Sequence, residues 1–243
     1  MDARPPSRAV RSAVDGAEKH RVWTARRDSR GWSPVIGSPS HPPEKASAMH
    51  QPDGLLALER LEIAVEKVRQ RLLRSTAALE SGGIPYAVVG GNAVMAWVEQ
   101  TDESAVRFTQ DVDIALRRSD FELARRALVA AGFVHRHSSG IDIFLDGPDG
   151  RARDAVHVVF CGEKVRPHYA AAVPDVDASV SFRSYRVISL EALVLMKLTS
   201  FRDKDRTHLR DLIDIGLVDA GWPPRFPADL AARLRQLLDD PDG

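Results

Sequence analysis

The sequence predicts an α/β or α+β domain followed by a helical C-terminal part. Three observations carry this. A short apolar strand, Tyr86-Ala87-Val88-Val89, runs into Gly90-Gly91; a second strand carries Asp111-Val112-Asp113-Ile114; and helical periodicity takes over again after Ser189.

The elements follow in order. Leu55, Leu56, Leu58, Leu61, Ile63, Ala64, Val68, Leu72, Leu73 and Leu79 recur at helical spacing from about Asp53 to residue 80, where Gly82-Gly83 and Pro85 forbid continuation. After the strand at Tyr86, Asn92 is positioned to cap a helix from Ala93 to about Val98. The polar stretch Glu99–Arg107 reads as a loop, and a strand follows at Asp111–Leu116. Ser119 and Asp120 start a helix Phe121–Ala131 that Gly132 closes. Strand-like stretches come next at Phe133–His137, Ile141–Leu145 and Ala155–Phe160, the last two separated by the turn Asp146-Gly147-Pro148-Asp149-Gly150. A strand near Tyr185–Ile188 precedes helices at Leu190–Phe201, Thr207–Ala220 and Ala228–Leu238. No internal repeat is present.

Composition fits a soluble globular chain: 243 residues, 44% hydrophobic, 28% charged and a formal charge of zero, so no global basic field points to nucleic acid. Residues 1–49 hold nine Lys/Arg against five Asp/Glu and are rich in Pro and Ser, which predicts a disordered basic tail. An α/β domain is expected at residues 50–188 and a helical subdomain at 189–243. The single Cys161 excludes an internal disulfide and argues against a cysteine-rich zinc site. No apolar run reaches the ~20 residues that span a bilayer, and the N-terminus lacks an apolar signal core, so no membrane partner and a cytoplasmic location are expected.

The chemistry is expected where the glycines and aspartates meet. Alternate residues of a strand face one side, so Asp111 and Asp113 project together while Val112 and Ile114 face the core. Two adjacent carboxylates repel unless a cation sits between them, and Mg²⁺ suits a carboxylate pair plus nucleotide phosphates. Gly90 and Gly91 permit close backbone approach, and the helix start beyond them offers free N–H groups to a triphosphate. Each signal alone has a plainer reading: a tight turn for the glycines, a solvated strand edge for the aspartates.

Gly90-Gly91-Asn92-Ala93 followed by Arg107-Phe108-Thr109-Gln110-Asp111-Val112-Asp113-Ile114 resembles the DNA polymerase β-type nucleotidyltransferase superfamily, and more narrowly the bacterial abortive-infection-type nucleotidyltransferases. The resemblance extends to Lys197-Leu198 and Arg210–Asp214, spanning roughly residues 84–216. It implies a nucleotidyltransferase-like mixed sheet, Mg²⁺ on Asp111 and Asp113, and transfer of a nucleoside monophosphate from an NTP. Gly90, Gly91, Asn92, Thr109 and Lys197 become the candidate nucleotide-binding residues; Asp111, Asp113, His157, Asp154 and Asp211 become the candidate catalytic ones. Lys197 also reads as a lysine snorkelling from a buried helix, and Asp211 as a member of a local polar pair.

Two departures from the family pattern matter. Asn92 through Gln110 is a longer interval than usual, with an insertion expected around Thr101–Ala105. The strand Ala155–Phe160 carries His157 where many members have a third carboxylate, with Asp154 and Asp142 nearby as substitutes. The leading expectation is thus an Mg²⁺-dependent enzyme using an NTP and an RNA, protein or small-molecule acceptor. The alternative is a catalytically degenerate binding protein of a toxin–antitoxin-like system, engaging a partner protein.

Overall fold

The computed structural model describes residues 53–102, 104, 107, 109–138 and 140–240. The expected basic tail lies outside the described residues, as does part of the expected insertion around 101–105. The described chain runs α1 (Asp53–Ser81), β1 (Tyr86–Val89), α2 (Gly90–Glu99), β2 (Val112–Leu116), α3 (Phe121–Ala130), β3 (Val134–Ser138), β4 (Ile141–Leu145) and β5 (Val156–Phe160). It continues through β6 (Ser179–Phe182), β7 (Tyr185–Ile188), α4 (Leu190–Ser200), α5 (Asp203–Asp214) and α6 (Ala228–Asp239).

The strands form one mixed sheet in the order β3-β4-β5-β2-β1-β7-β6. β2 pairs antiparallel with β1 and parallel with β5, and β1 pairs parallel with β7. The middle strands are walled in on both sides, as their near-continuous apolar runs require. All four β1 residues are buried, and in β2 only Asp113 breaks the burial. Helix α1 packs with α3 against the sheet; α2 lies on β1, β2 and β7 and meets α4 and α5, which bundle with α6. Leu72 and Leu79 from α1, Ile114 and Leu116 from β2, and Leu193 and Leu198 from α4 are among the fully enclosed side chains of the core.

The mixed sheet, its flanking helices and the helical C-terminal part agree with the sequence reading, and three local differences have identifiable causes. Helix α2 starts at Gly90 rather than Ala93, and Asn92 does not cap it: its side chain is buried and donates to the Asp111 carbonyl at 2.7 Å. Helix α5 starts four residues before Thr207 because Asp205 accepts from the Arg202 backbone N–H at 3.2 Å and satisfies the helix start; it ends at Asp214, just before Gly216 (φ +76°). Strand β6 has no predicted counterpart. It is an edge strand whose Ser179, Val180 and Ser181 are not buried, so no apolar pattern marks it.

Candidate active site

Four contacts fix the segment that leads into β2. Arg107 Nε donates to Asp211 Oδ1 on α5 at 2.9 Å; Arg71 on α1, itself buried, donates to the Gln110 carbonyl at 3.0 Å; and Asn92 holds the Asp111 carbonyl. The Thr109 hydroxyl then donates to Asp111 Oδ1 at 2.7 Å, fixing one carboxylate oxygen and leaving the other to face outward. Three helices, α1, α2 and α5, thus hold Gln110, Asp111 and Arg107 in turn, with Asn92 of α2 on the backbone of Asp111 itself. That is how a site on a strand end is held to a fraction of an ångström.

The glycines complete the frame by what they lack. Gly90 has φ +67°, and a Cβ there would lie 2.0 Å from Asp113 Oδ2. At Gly91 a Cβ would meet the Thr109 side chain at 2.9 Å. The turn after β1 is thus pressed directly against Asp113 and against Thr109, which holds Asp111.

The parallel register of β2 and β5 sets His157 beside Asp113. His157 Nε2 lies 2.9 Å from the Ala152 carbonyl, which only accepts, so that nitrogen carries the hydrogen. Nδ1 turns to the carboxylates, 3.6 Å from Asp113 Oδ1 and 3.9 Å from Asp111 Oδ2. One ligand-type atom from each of Asp111, Asp113 and His157 lies within 4.8 Å of the others, the one such group of three or more among the described residues. The charges respond to one another. The Asp113 carboxylate, outweighing burial, pushes the His157 imidazole up. Burial pulls Asp111 upward, but the Thr109 hydroxyl and the Lys204 charge outweigh it and hold the carboxyl below its ordinary value.

A cleft of about 700 Å³ opens over this group, lined by Asp111, Asp113 and His157 and by Lys197, Arg202 and Lys204 from the α4–α5 region. Lys197 is buried, with Nζ 3.2 Å from Asp205 Oδ1 and 3.0 Å from His208 Nδ1. Asp205, 1% exposed, also accepts from Ser200 at 2.7 Å and Arg202 Nε at 2.7 Å. Burial pulls the Lys197 ammonium down, opposed by Asp205. Burial and the Lys197 charge push His208 down to about 4.

A pH dependence follows for His208. Its folded value of about 4 lies below the ordinary 6.5, so the unfolded chain binds the proton first and stability falls as pH drops from 6.5 to 4. His157, raised instead, acts in the opposite direction. The readout is therefore the difference between proteins: the melting temperature of His208→Gln should fall less over this interval than that of the wild type. Parallel melting curves for the two would place His208 outside the buried network.

Of the residues singled out from the sequence, Gly90, Asp111, Asp113, His157 and Lys197 line the one cleft, with Gly91 and Thr109 directly behind the carboxylates. Asn92 acts from inside the core on the backbone of Asp111. Asp154 does not line the cleft and lies 3.7 Å from Arg153; Asp211 is engaged by Arg107, its carboxyl raised chiefly by burial. Asp142 is occupied by His135 at 2.8 Å and His137 at 3.0 Å. Sequence reasoning passed over Arg71, the Ala152 carbonyl, Arg202, Lys204, Asp205 and His208. Only the acidic residue three places into α5 left a sequence signal, that of a helix N-terminus.

The mixed sheet, its helical C-terminal part and the glycine turn pressed on an Asp-x-Asp strand agree with the DNA polymerase β-type nucleotidyltransferase superfamily, and the family match bears this out. The profile of the family described as "Nucleotidyl transferase AbiEii toxin, Type IV TA system" matches residues 71–242, and the chain belongs to that family. No curated protein matches it. Among solved structures, it is similar to an antigenic nucleotidyltransferase-like protein from Paracoccidioides brasiliensis: 20% identity, 74% of this chain and 91% of that one, TM-score 0.48. It is similar also to the antibiotic-resistance factor ANT(2'')-Ia, at 13% identity over 70% of this chain and 91% of that one, TM-score 0.45. JHP933 from Helicobacter pylori aligns at 19% identity over 74% of this chain and 75% of that one, TM-score 0.39.

Proposed function

We propose that the protein is a metal-dependent nucleotidyltransferase that moves a nucleoside monophosphate from an NTP to an RNA, protein or small-molecule acceptor, acting as the toxin of a toxin–antitoxin pair with a partner protein. The observation that carries this reading is the convergence of Asp111, Asp113 and His157 within 4.8 Å at the mouth of a cleft bordered by Lys197 and Lys204. A cytoplasmic location, where NTPs are plentiful, accords with this reading. Among the described residues no helix is long and apolar enough to cross a membrane.

The donor set fits a divalent cation: two carboxylates and an imidazole nitrogen with its lone pair free. Asp111, Asp113 and His157 would hold the ion, which when bound neutralises phosphate charge and polarises the phosphoryl group. The chain's own groups do the rest. The N–H groups of the first turn of α2, which begins at Gly90, would receive phosphate oxygens. Lys197, held by Asp205 and His208, has one ammonium hydrogen left for phosphate, and Lys204 adds an outer charge. Because His157 spends Nε2 on Ala152 and turns Nδ1 to the carboxylates, it has no nitrogen left for the acceptor. Removal of the acceptor's proton falls to a carboxylate oxygen of Asp113. Asp154 and Asp211 support the fold around the site.

The test is transfer of label from α-³²P-NTPs, each with Mg²⁺ or Mn²⁺, to total RNA and to total protein. Asp111→Asn should lower transfer by about 10³-fold, the several kcal/mol a catalytic ion supplies, while the melting curve stays close to wild type. Undiminished labelling would take Asp111 out of the mechanism. His157 in place of a third carboxylate favours one second reading, a degenerate binding protein. Calorimetry separates the two, since that protein would take up NTP without dependence on a divalent ion.

A further inference from the structure

Resting on the nucleotidyltransferase reading, we propose that His157 is a direct ligand of the divalent cation, through Nδ1, and that the site accordingly selects Mn²⁺ over Mg²⁺. The argument begins with the Ala152 carbonyl, which lies at the head of the 3₁₀ turn Ala152–Asp154 immediately before β5. By accepting from Nε2 at 2.9 Å it fixes both the ring orientation and the tautomer of His157. The neutral ring then has one lone pair, on Nδ1, aimed at the carboxylates.

The separations of Nδ1 from Asp113 Oδ1 and Asp111 Oδ2, 3.6 and 3.9 Å, lie beyond hydrogen-bond reach and leave room for an ion among the three atoms. Among the described residues no other carboxylate joins this group: Glu163, which also lines the cleft, is paired with Arg118, and Asp205 with Lys197 and Arg202. Asp142 is held by two histidines, and Asp154 does not line the cleft. The third group of the site is thus a nitrogen donor by construction.

Ligand chemistry then chooses the ion. Mg²⁺ is small and hard and keeps oxygen and water around it; imidazole suits Fe²⁺, Ni²⁺, Cu²⁺ and Zn²⁺ best, and Mn²⁺, an oxygen-preferring ion at the foot of that transition series, stands between the two groups. Two carboxylates, one imidazole and the oxygens of an NTP make a mixed set that Mn²⁺ accepts and that Mg²⁺ fills only by giving up an oxygen position to nitrogen. The expected consequence is a binding preference set by one side chain.

The experiment uses the full chain with Mn²⁺ and a non-hydrolysable NTP analogue, followed by pulsed electron paramagnetic resonance. The spectrum of the wild type should contain the ¹⁴N coupling of a directly bound imidazole. His157→Asp should still bind Mn²⁺ but lose that coupling, and competition titration should show its Mn²⁺-to-Mg²⁺ affinity ratio falling about tenfold or more. His157→Gln, which keeps the side chain neutral, serves if the aspartate variant melts early. Bound Mn²⁺ without nitrogen coupling in the wild type, or an unchanged ratio in the variants, overturns the proposal and leaves the nucleotidyltransferase reading standing. Absence of Mn²⁺ binding, or binding that survives Asp111→Asn unaltered, removes both.

Discussion

Gly90→Ala is expected to abolish NTP-dependent labelling and to lower stability together. The residue occupies the left-handed region at φ +67°, which costs an L-residue about 1–2 kcal/mol. The added methyl would sit 2.0 Å from Asp113 Oδ2, 2.8 Å from its Cγ and 2.9 Å from its Cβ, so the whole carboxylate must leave rather than one flexible tip. Overpacking of that kind adds about 1–3 kcal/mol, giving about 2–5 kcal/mol in denaturant unfolding. The control is Gly83→Ala, at φ +61° with nothing within 4 Å of the added carbon. It should lose only the backbone term and keep full labelling. If Gly90→Ala matched the control in both measurements, the close packing of the glycine turn on Asp113 would have no functional weight.

Asp205→Ala should have the largest effect on stability of any exchange in the cleft wall, about 3–5 kcal/mol, because it strands a buried ammonium. Asp205 is 1% exposed and receives Lys197, Ser200 and both the backbone and side chain of Arg202. Removing it deletes the start of α5 and the counter-charge of Lys197 at once. Burial opposes the Asp205 charge, but the Arg202 hydrogen bond and the Lys197 charge outweigh it and hold the carboxyl at about 2. A carboxyl depressed in the folded state contributes above its unfolded value, ~3.9, and loses that contribution as pH falls toward 2. The gap between wild type and variant should therefore be full at pH 5 and above and shrink steadily as pH falls from about 4 toward 2. A loss under about 1 kcal/mol would mean that Lys197 escapes into the cleft and that the network does not hold it.

The legible part of this molecule is the part written in short-range pattern. Tyr86–Val89 and Val112–Leu116 announce buried central strands because nearly every residue is apolar, and Asp113 stands out as the one β2 residue that is not buried. His157 is found at the third position because β5 keeps the same alternation, and the register with β2 brings it to Asp113. What stayed hidden acts over long separations or through the main chain. Arg71 reaches the Gln110 carbonyl 39 residues away, and Asn92 reaches Asp111 across 19; neither spacing has a periodicity to detect. The Ala152 carbonyl is a backbone atom, carried by every residue type and so invisible in a list of them. The sequence predicts helix α5 only from Thr207, to Ala220. The true start at Asp203 is polar and is fixed by a side-chain bond to its own backbone.

The pairing of β2 with β5 also has an evolutionary consequence. Position 157 is presented to the cleft by sheet register, while the frame around Asp111 is built from α1, α2 and α5. The codons for histidine and aspartate differ by a single base. A lineage with this architecture can therefore exchange a nitrogen donor for an oxygen donor in one mutational step, leaving the scaffold intact. Under the proposed metal role, adaptation to the metal supply of a new habitat then needs no new fold and no new site, only a substitution at one strand position.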